Sequence, residues 1–417
     1  MRLSTASRGP RLRGDDKGGL SAASRGPRLR GDDNCIVLIS VLVILVLAGC
    51  QGRQQPAVDI SKAFRNPDTS LLSVTYAKGF RFERNEAGTI LIISDPINAG
   101  KGIARYRIVQ SRYGVKPKEG YTDIVVPVKS LAASSTTHAG FLSAIGAADQ
   151  LIGCNNPERL YDTLLFNRFL KGDLVRMGRD LEYNLEYLIA SKPDLVLQTG
   201  IDGQFYPDTR LTGMGIPVMF VLEWMESTPL GRAEWIKVFG LITGKIREAD
   251  SLFDLIEKNY LACAKLGREA PEKIKVLTGN VFKGTWYMPG GRNYMTRFFE
   301  DAGMEYLWKD TDQSASLALS FESVVYQLAD APVWINVNVD SLSQLIGAEE
   351  RYSVFRAVKE HRVFSVFNRV NSHGGNDFWE SAVVRPDRVL ADLLAIAHPE
   401  LIPDHIWNYY KPLIFNQ

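Results

Sequence analysis

The residues of this sequence that could do chemistry are mostly aromatic rings and amides rather than nucleophiles or metal ligands. We find no Gly-rich phosphate loop, no Gly-x-Ser-x-Gly elbow and no cysteine cluster, which mark common catalytic sites. The 417 residues include five histidines, and no three of them stand with carboxylates in a metal-ligand spacing. Large rings in loop-like surroundings, such as Trp286-Tyr287 and Phe378-Trp379, instead suit a broad, partly apolar molecule.

Two segments with the same pattern stand in opposite halves of the chain. Residues 184–197 and 320–335 each read as a capped helix, a loop marked by proline and a buried strand. Asn184 and Ser320 are good N-caps, and Glu186 and Glu322 follow in the first turn, where a negative charge favours the helix dipole. Helix capping alone would explain either segment, so only their pairing is informative.

One long amphipathic helix is predicted between these segments, at residues 246–266. Apolar residues recur there at helical spacing, and charged residues occupy the other face. The stripe consists of Ala249, Leu252, Phe253, Ile256, Tyr260 and Cys263. At 1.5 Å per residue the helix is roughly 30 Å long, about the span of a small domain. It either joins two lobes or packs between two strands of one sheet, and periodicity alone favours neither alternative.

Short strands alternate with helices on both sides of this helix. Strands separated by about 10 to 15 helical residues predict βαβ units and parallel sheets. The predicted fold class is α/β, with two Rossmann-like lobes joined by one long α-helix and a small N-terminal β extension. We assign residues 51–120 to a tether and the β extension, 121–245 to the N-terminal lobe, 246–267 to the bridging helix and 268–417 to the C-terminal lobe. The first strand of the N-terminal lobe is predicted at 124–131.

The first 50 residues read as an export signal. The sequence ASRGPRLRGDD occurs at both 6–16 and 23–33, within a stretch (1–34) that lacks apolar periodicity and is predicted to be disordered. Residues 36–48 form an apolar run of the length of a signal-peptide core, too short for a comfortable membrane span. The Leu-Ala-Gly-Cys sequence that ends in Cys50 resembles a bacterial lipobox, in which the cysteine takes the lipid.

Removal of this signal leaves a chain with almost no net charge. Residues 1–50 carry eight Lys/Arg and four Asp/Glu, so the formal charge changes from +2 to −2, and no basic excess indicates a nucleic-acid partner. Two cysteines, Cys154 and Cys263, follow the lipobox. In an oxidising compartment they either pair or stay as two buried thiols.

Taken together, residues 184–197 and 320–335 resemble the periplasmic binding proteins of ABC importers for cobalamin, haem and ferric siderophores. The resemblance covers roughly residues 121–400 and includes the Ser-Ser-Thr-Thr-His sequence at 134–138. The segment Pro-Leu-Gly-Arg-Ala-Glu-Trp at 229–235 is similar to versions in Bacteroidetes-type bacteria. The resemblance implies a monomer of two α/β lobes joined by one helix, which holds its ligand in the cleft between them.

The resemblance also implies a partner and a location. Exposed carboxylates, here Glu186 and Glu322, would dock onto arginines of the importer's permease in the inner membrane, and the lipid on Cys50 would anchor the protein in the periplasm. Two rigid lobes that hold these charges far apart would give oriented, salt-sensitive docking. Such a protein has no catalytic residues, no cofactor and no metal site of its own.

In this fold the cleft is lined by loops that follow the carboxyl ends of strands. Sequence order then nominates as ligand-binding residues Thr137, His138, Gln204, Phe205, Tyr206, Trp224, Trp286, Tyr287, Arg369, His373, Phe378 and Trp379. His138 and His373 could ligate a haem iron or a cobalt, or could be structural. A siderophore with several negative charges would favour convergent arginines. The choice among corrinoid, haem and ferric siderophore stays open.

Two other functions fit a chain of this architecture. One is an enzyme on a similar fold, such as a metal chelatase or a nitrogenase-like component, which would need a cofactor motif or a catalytic set. The other is a surface lipoprotein that binds another protein, for which the β extension would matter. Tight ligand binding without chemical change would distinguish a transport protein from an enzyme.

Overall fold

The computed structural model describes residues 69–85, 88–98, 101–111, 113, 115–179, 182–200 and 205–415. The predicted export signal with its repeats, Cys50, most of the tether and Gln204 lie outside the described residues. Within them, no helix is long and apolar enough to cross a membrane.

A four-stranded sheet forms the β extension. Its strands are β1 (Phe80–Asn85), β2 (Gly88–Ser94), β3 (Gly102–Val109) and β4 (Thr122–Val125). The first three are antiparallel, and β4 runs parallel to β3. The single strand predicted at 124–131 is therefore wrong, because its first part belongs to this sheet. Pro127 has no N–H to continue a strand ladder and separates β4 from the next strand.

The N-terminal lobe is built on a six-stranded sheet. In chain order its strands are β5 (Leu131–Ala133), β6 (Leu151–Asn155), β7 (Val175–Arg179), β8 (Glu182–Tyr183), β9 (Leu195–Thr199) and β10 (Val218–Val221). They lie in the order β10-β9-β5-β6-β7-β8, and all neighbours are parallel except β7 and β8. The connecting helices are α1 (Thr136–Ala144), α2 (Thr163–Lys171), α3 (Leu185–Ser191) and α4 (Thr209–Gly213). Strand order reverses at β5, so its carboxyl end is a topological switch point, the usual place for a ligand.

Three helices lead out of this lobe: α5 (Pro229–Glu234), α6 (Ile236–Thr243) and α7 (Ile246–Glu269). Gly244 ends α6 with a φ of 77°, a left-handed conformation that favours glycine, and the chain then turns into α7. Helix α7 is the long helix predicted at 246–266, and it continues to Glu269.

The C-terminal lobe contains a five-stranded sheet and a smaller antiparallel one. In chain order the strands are β11 (Ile274–Thr278), β12 (Val281–Phe282), β13 (Thr285–Pro289), β14 (Met304–Glu305), β15 (Ser316–Leu319), β16 (Val333–Val337), β17 (Val363–Ser365) and β18 (Lys411–Pro412). The larger sheet has the order β14-β11-β16-β17-β18, parallel except for β18, and the smaller has the order β12-β13-β15. The helices are α8 (Tyr294–Asp301), α9 (Phe321–Leu328), α10 (Leu342–Ala348), α11 (Arg356–Lys359) and α12 (Pro386–Ala397).

Helix α7 joins the two lobes. It packs against α6 on one side and against α8 and α12 on the other. Its buried stripe includes Ala249, Phe253, Ile256 and Tyr260, as predicted. The α/β fold class and the first of the two alternatives for this helix are thus confirmed. Cys263, also in the predicted stripe, is half-buried, and neither it nor the buried Cys154 forms a disulfide.

Two buried glutamates hold the chain that precedes the β extension, here called the N-terminal strap (residues 73–79). The Glu234 carboxylate accepts hydrogen bonds of 2.7–2.8 Å from the backbone N–H groups of residues 75–77. Glu226 accepts from those of residues 78 and 79 and from Nε1 of Trp235. Burial raises the pKa of Glu226, which these donors oppose. A carboxylate is costly to bury unless donors surround it in this way.

Candidate functional site

Strands of the C-terminal lobe, and loops that follow them, line a cavity of about 550 Å³, here called the cleft cavity. This volume lies within the range of about 300–1,000 Å³ that is typical of small-molecule sites. The side chains that line it combine aromatic rings, amides and a hydroxyl. They include Thr278, Tyr287, Tyr294, Asn336, Asn338, Phe378 and Trp379. The cavity thus brings together three predicted ligand-binding residues, Tyr287, Phe378 and Trp379.

Two of these three aromatic residues have rings free for contact. Tyr287 is 44% exposed and Trp379 is 55% exposed, whereas Phe378 is buried. The rings of Phe378 and Trp379 meet edge to face with centroids 4.9 Å apart, and Phe378 also packs against Tyr409 and Tyr410. Phe378 therefore positions Trp379, whose own ring can stack on a flat ligand.

Asn336 supplies the cavity with a fixed amide. It lies in β16, one residue before the end of the strand, with a φ of 59°, a left-handed conformation that asparagine tolerates better than most residues. Its Oδ1 accepts a hydrogen bond from the Tyr410 hydroxyl at 2.6 Å, and its Nδ2 donates to Thr278 Oγ1 at 3.1 Å. With both ends of the amide engaged, the orientation of this side chain is set before any ligand arrives.

The N-terminal lobe meets the cleft cavity at a small neighbouring cavity of about 50 Å³, lined in part by Thr137, Arg232, Tyr294 and Trp379. The Arg232 guanidinium lies 3.9 Å from the centroid of the Tyr294 ring and so contacts the other lobe through a cation–π interaction. Thr137 Oγ1 donates a hydrogen bond of 2.7 Å to Glu223. Neither Arg232 nor Tyr294 was nominated from the sequence, because each lies within a helix that does not directly follow one of the strands used for the nomination.

Two predicted ligand residues, Trp286 and His138, have fully buried side chains and do not line the cleft cavity. Trp286 lies in β13, where successive side chains point to opposite faces, so Trp286 faces the core while Tyr287 faces the cavity. Nε1 of Trp286 donates to the Thr278 carbonyl at 2.9 Å. His138 lies on the buried face of α1, with its ring centroid 6.0 Å from that of Phe239. Within the described part of the chain, no three His, Cys, Asp or Glu side chains are grouped to hold a metal ion.

The structure also separates three other N-terminal-lobe residues from the cleft cavity. Phe205 is half-buried and packs edge to face on Phe220 of β10. Tyr206 and Trp224 are exposed on their lobe, but the lining of the cleft cavity includes neither of them. Their role as ligand residues stays a prediction.

A loop of the C-terminal lobe reaches across to the N-terminal lobe and holds it. The Glu380 carboxylate accepts hydrogen bonds from the N–H groups of Tyr161 at 2.6 Å and Asp162 at 3.0 Å. Asn371 Nδ2 donates to the carbonyl of Leu160 at 2.9 Å. We call these contacts between residues 369–380 and 160–166 the lobe clasp.

Arg369 and His373 lie in the lobe clasp, and the lining of the cleft cavity includes neither of them, so their role as ligand residues stays a prediction. His373 stacks on Phe166 with centroids 4.3 Å apart. The Arg369 guanidinium pairs with Asp377 at 2.9 Å and lies 5.3 Å from the centroid of the Tyr161 ring. Local sequence patterns could not predict these contacts, because the two sides of the clasp are more than 200 residues apart along the chain.

Residues 377–380 form a partition between the cleft cavity and a second cavity of about 680 Å³. Phe378 and Trp379 face the first, whereas Asp377 and Glu380 line the second together with Arg369. Burial raises the pKa of Glu380 to about 7, an effect that its two N–H donors oppose. The clasp therefore contains an acid that titrates near neutral pH.

We expect His138 to make the fold sensitive to acid. Neither ring nitrogen has a hydrogen-bond partner, and burial lowers the pKa of His138 to about 3. An unfolded histidine has a pKa of about 6.5, so between these values the unfolded chain binds a proton that the folded chain does not. The free energy of unfolding therefore decreases as the pH falls from about 6.5 toward about 3. His138 should account for a loss of about 2–3 kcal/mol in the free energy of unfolding between pH 7 and about pH 4.5.

Denaturant unfolding of the parent protein and His138→Leu at both pH values tests this expectation. The variant should lose less stability on acidification than the parent, since leucine takes up no proton. Equal losses in the two proteins would show that His138 is not the source of the acid sensitivity.

The two predicted docking glutamates lie on the surface of separate lobes. Glu186 is exposed near the start of α3, and Glu322, with 77% of its side chain exposed, near the start of α9. The predicted caps are confirmed, because Asn184 Oδ1 and Ser320 Oγ each accept a backbone N–H bond of 3.1 Å. Neither glutamate lines the cleft cavity. Their contact with a permease stays a prediction.

Comparison with known proteins gives the same architecture. The sequence pattern of a family described as "Periplasmic binding protein" matches residues 131–369. An uncharacterized lipoprotein of Methanocaldococcus jannaschii is 25% identical over 88% of this chain and 92% of its own length. A second uncharacterized lipoprotein of that organism is 22% identical over 90% of this chain and 99% of its own length. The crystal structure of a periplasmic solute binding protein from Veillonella parvula has a TM-score of 0.53 at 18% identity, covering 76% of this chain and 89% of that one.

Proposed function

Because this chain belongs to the periplasmic binding protein family, a family of binding proteins rather than enzymes, we propose that it captures a metal complex in the cleft cavity and delivers it to an ABC importer. The complex is a corrinoid, a haem or a ferric siderophore. The observation that carries the proposal is the pairing of two exposed rings, Tyr287 and Trp379, with the oriented amide of Asn336 in one cavity.

The charge of the cleft cavity favours a flat, weakly charged ligand over a siderophore with several negative charges. Such a siderophore calls for two or three convergent arginines. Arg232 lies in the neighbouring small cavity, and Arg369 is paired with Asp377 in the lobe clasp. Among the described residues, the lining of the cleft cavity itself contains no arginine or lysine. A corrinoid, whose peripheral amides are uncharged, fits this distribution of rings and charges best, followed by a haem, which carries two carboxylates.

Export and anchoring complete the proposal. We assign residues 1–50 to a signal that is removed and Cys50 to lipidation, so that the protein is held at the membrane in the periplasm. The names of the two Methanocaldococcus jannaschii relatives, both called lipoproteins, support the anchor. Mass spectrometry of the N-terminal peptide from cells tests it: a lipid-modified Cys50 is expected, and an unprocessed N-terminus would contradict it.

The ligand itself can be identified by its colour. We expect residues 51–417, which contain the whole described structure, to bind one of cyanocobalamin, cobinamide, haem or a ferric siderophore in a spectroscopic titration. The recovered ligand should be chemically unchanged. A chemical change in the ligand would indicate an enzyme, and failure to bind any of these compounds would contradict the proposal.

The exposed rings of the cleft cavity should carry much of the affinity. Truncating an aromatic residue at the centre of a binding site commonly costs about 1–3 kcal/mol, a loss of roughly 5- to 150-fold in affinity. We therefore expect Tyr287→Ala and Trp379→Ala each to raise the Kd at least fivefold. Tyr326→Ala is the matched control, because this ring of the same lobe is 92% exposed, lies outside the cavity and was never nominated as a ligand residue. Equal effects of all three substitutions would place the ligand elsewhere.

A further inference from the structure

The β extension has an excess of positive charge, whereas the lobes that follow it have an excess of negative charge. Residues 69–125 contain nine Lys/Arg and five Asp/Glu, whereas residues 126–417 contain 29 and 36. The two parts thus have formal charges of +4 and −7. A chain that is almost neutral as a whole is strongly polarised along its length.

The strand register shows which cations of the β extension share a face. Ile92 of β2 pairs with Arg81 of β1 and with Arg105 of β3. Side chains that pair across strands lie on the same face, so both arginines project from one side of the sheet. Tyr106, the next residue along β3, projects from the opposite side and is buried against the N-terminal lobe. The Tyr106 hydroxyl accepts a hydrogen bond from the backbone N–H of Phe220 in β10. The arginines therefore point away from the lobes.

Three cations at this outer face have no carboxylate partner among the described residues. Arg105 and Lys118 lie 5.9 Å and 4.3 Å from the centroid of the Tyr121 ring, and Lys116 is exposed in the same loop. Tyr113, also in this loop, is 95% exposed. In contrast, the Arg81 guanidinium on the same side is bonded to Glu83. We call Arg105, Lys116 and Lys118, with the two tyrosines, the basic face.

We propose that the basic face rests on anionic lipid headgroups of the membrane to which the protein is anchored. Exposed cations are attracted to an anionic lipid surface, and tyrosine rings are favoured at the level of the headgroups. The acidic lobes are repelled by the same surface. The separated charges therefore orient the molecule with the β extension toward the membrane and the lobes away from it.

The inference rests on the proposed anchor at Cys50, which keeps the protein close to the membrane. Eighteen residues separate Cys50 from Thr69, the first described residue. A fully extended chain of this length reaches no further than about 65 Å. The basic face thus encounters one lipid surface continuously, and even weak attraction to headgroups is enough to set an orientation.

Vesicle binding by the unlipidated chain tests the basic face apart from the anchor. Residues 51–417 with Cys50 absent would be sedimented with vesicles of phosphatidylcholine alone, or with about 30% phosphatidylglycerol. We expect binding to the anionic vesicles only, and its loss at high salt. The triple variant Arg105→Ser/Lys116→Ser/Lys118→Ser should bind these vesicles at least tenfold more weakly, with an unchanged Kd for the coloured ligand.

A second triple variant controls for net charge. Lys265, Lys309 and Lys359 are exposed on α7 and the C-terminal lobe, and no described ion pair involves them. Their replacement by serine removes the same charge from another place and should leave vesicle binding unchanged. Equal losses in the two variants would overturn the proposal, as would failure of the parent chain to bind anionic vesicles. Neither result would bear on ligand capture, which the spectroscopic titration measures separately.

Discussion

Replacing Glu186 and Glu322 together with alanine will reduce ligand uptake by cells at least about tenfold, while the Kd of the purified protein for the ligand will not change. Both carboxylates are exposed, one on α3 and one on α9, and neither lines the cleft cavity. Two fixed charges on separate lobes can set the orientation of docking because both must find a cation at once. Uptake of radiolabelled ligand, alongside the spectroscopic titration, measures the two quantities.

Matched controls separate a docking defect from a change in charge. Asp149 and Glu272 are exposed acids, one in each lobe, that lie off helices α3 and α9. Their double replacement by alanine removes the same charge and should leave uptake intact. The Glu186→Gln/Glu322→Gln variant keeps the size of both side chains but removes their charges. It should reduce uptake as much as the alanine variant does if ionised carboxylates make the contact. A change in ligand Kd in the first variant would show that these residues do not act at a distance from the cleft.

Glu234→Ala will lower the free energy of unfolding by about 3–5 kcal/mol and release the N-terminal strap. The substitution leaves the N–H groups of residues 75–77 without the acceptor they now share. Each of these partly buried N–H groups that loses its acceptor costs up to about 1–3 kcal/mol, and less where it can reach water. Lys237, which lies 3.2 Å from Asp250, keeps that partner. Denaturant unfolding gives the energy, and hydrogen exchange of residues 73–79 reports release of the strap.

The strap offers a milder substitution as the control. Tyr76→Phe removes only the hydrogen bond from the Tyr76 hydroxyl to Glu257, a bond in a partly exposed place. It should cost about 1 kcal/mol and leave exchange of the strap slow. If Glu234→Ala lowered the free energy of unfolding no more than Tyr76→Phe does, the backbone hydrogen bonds to Glu234 would not be what holds the strap.

Local patterns in the sequence were enough to predict the main architecture. The spacing of Ala249, Phe253, Ile256 and Tyr260 predicted α7, because the buried face of an amphipathic helix appears in the sequence as apolar residues at helical spacing. The caps at Asn184 and Ser320 were predictable for the same reason, since the donor lies three residues from the acceptor. Each of these features depends on neighbours along the chain.

Features that depend on contacts beyond neighbouring residues could not be predicted from such local patterns. Trp286 and Tyr287 are adjacent and chemically similar, and only the pleat of β13 decides which of them faces the cavity. Glu234 resembles any helical glutamate, because its partners lie more than 150 residues earlier. The β extension had no role assigned from the sequence, and its basic face became visible only through the register of β1, β2 and β3.

The lobe clasp has a consequence for how the two lobes can move. A rigid body held at one point can rotate about three axes, whereas a body held at two separated points can rotate only about the line between them. Helix α7 provides one attachment and the contacts of Glu380 with residues 161 and 162 provide the other. While both hold, the lobes cannot open widely, and the contact between Arg232 and Tyr294 opposes the twist that remains possible about the line from α7 to the clasp. A wider, hinge-like opening requires that residues 369–380 first separate from 160–166, which makes this step a natural place for a permease to act when it takes the ligand.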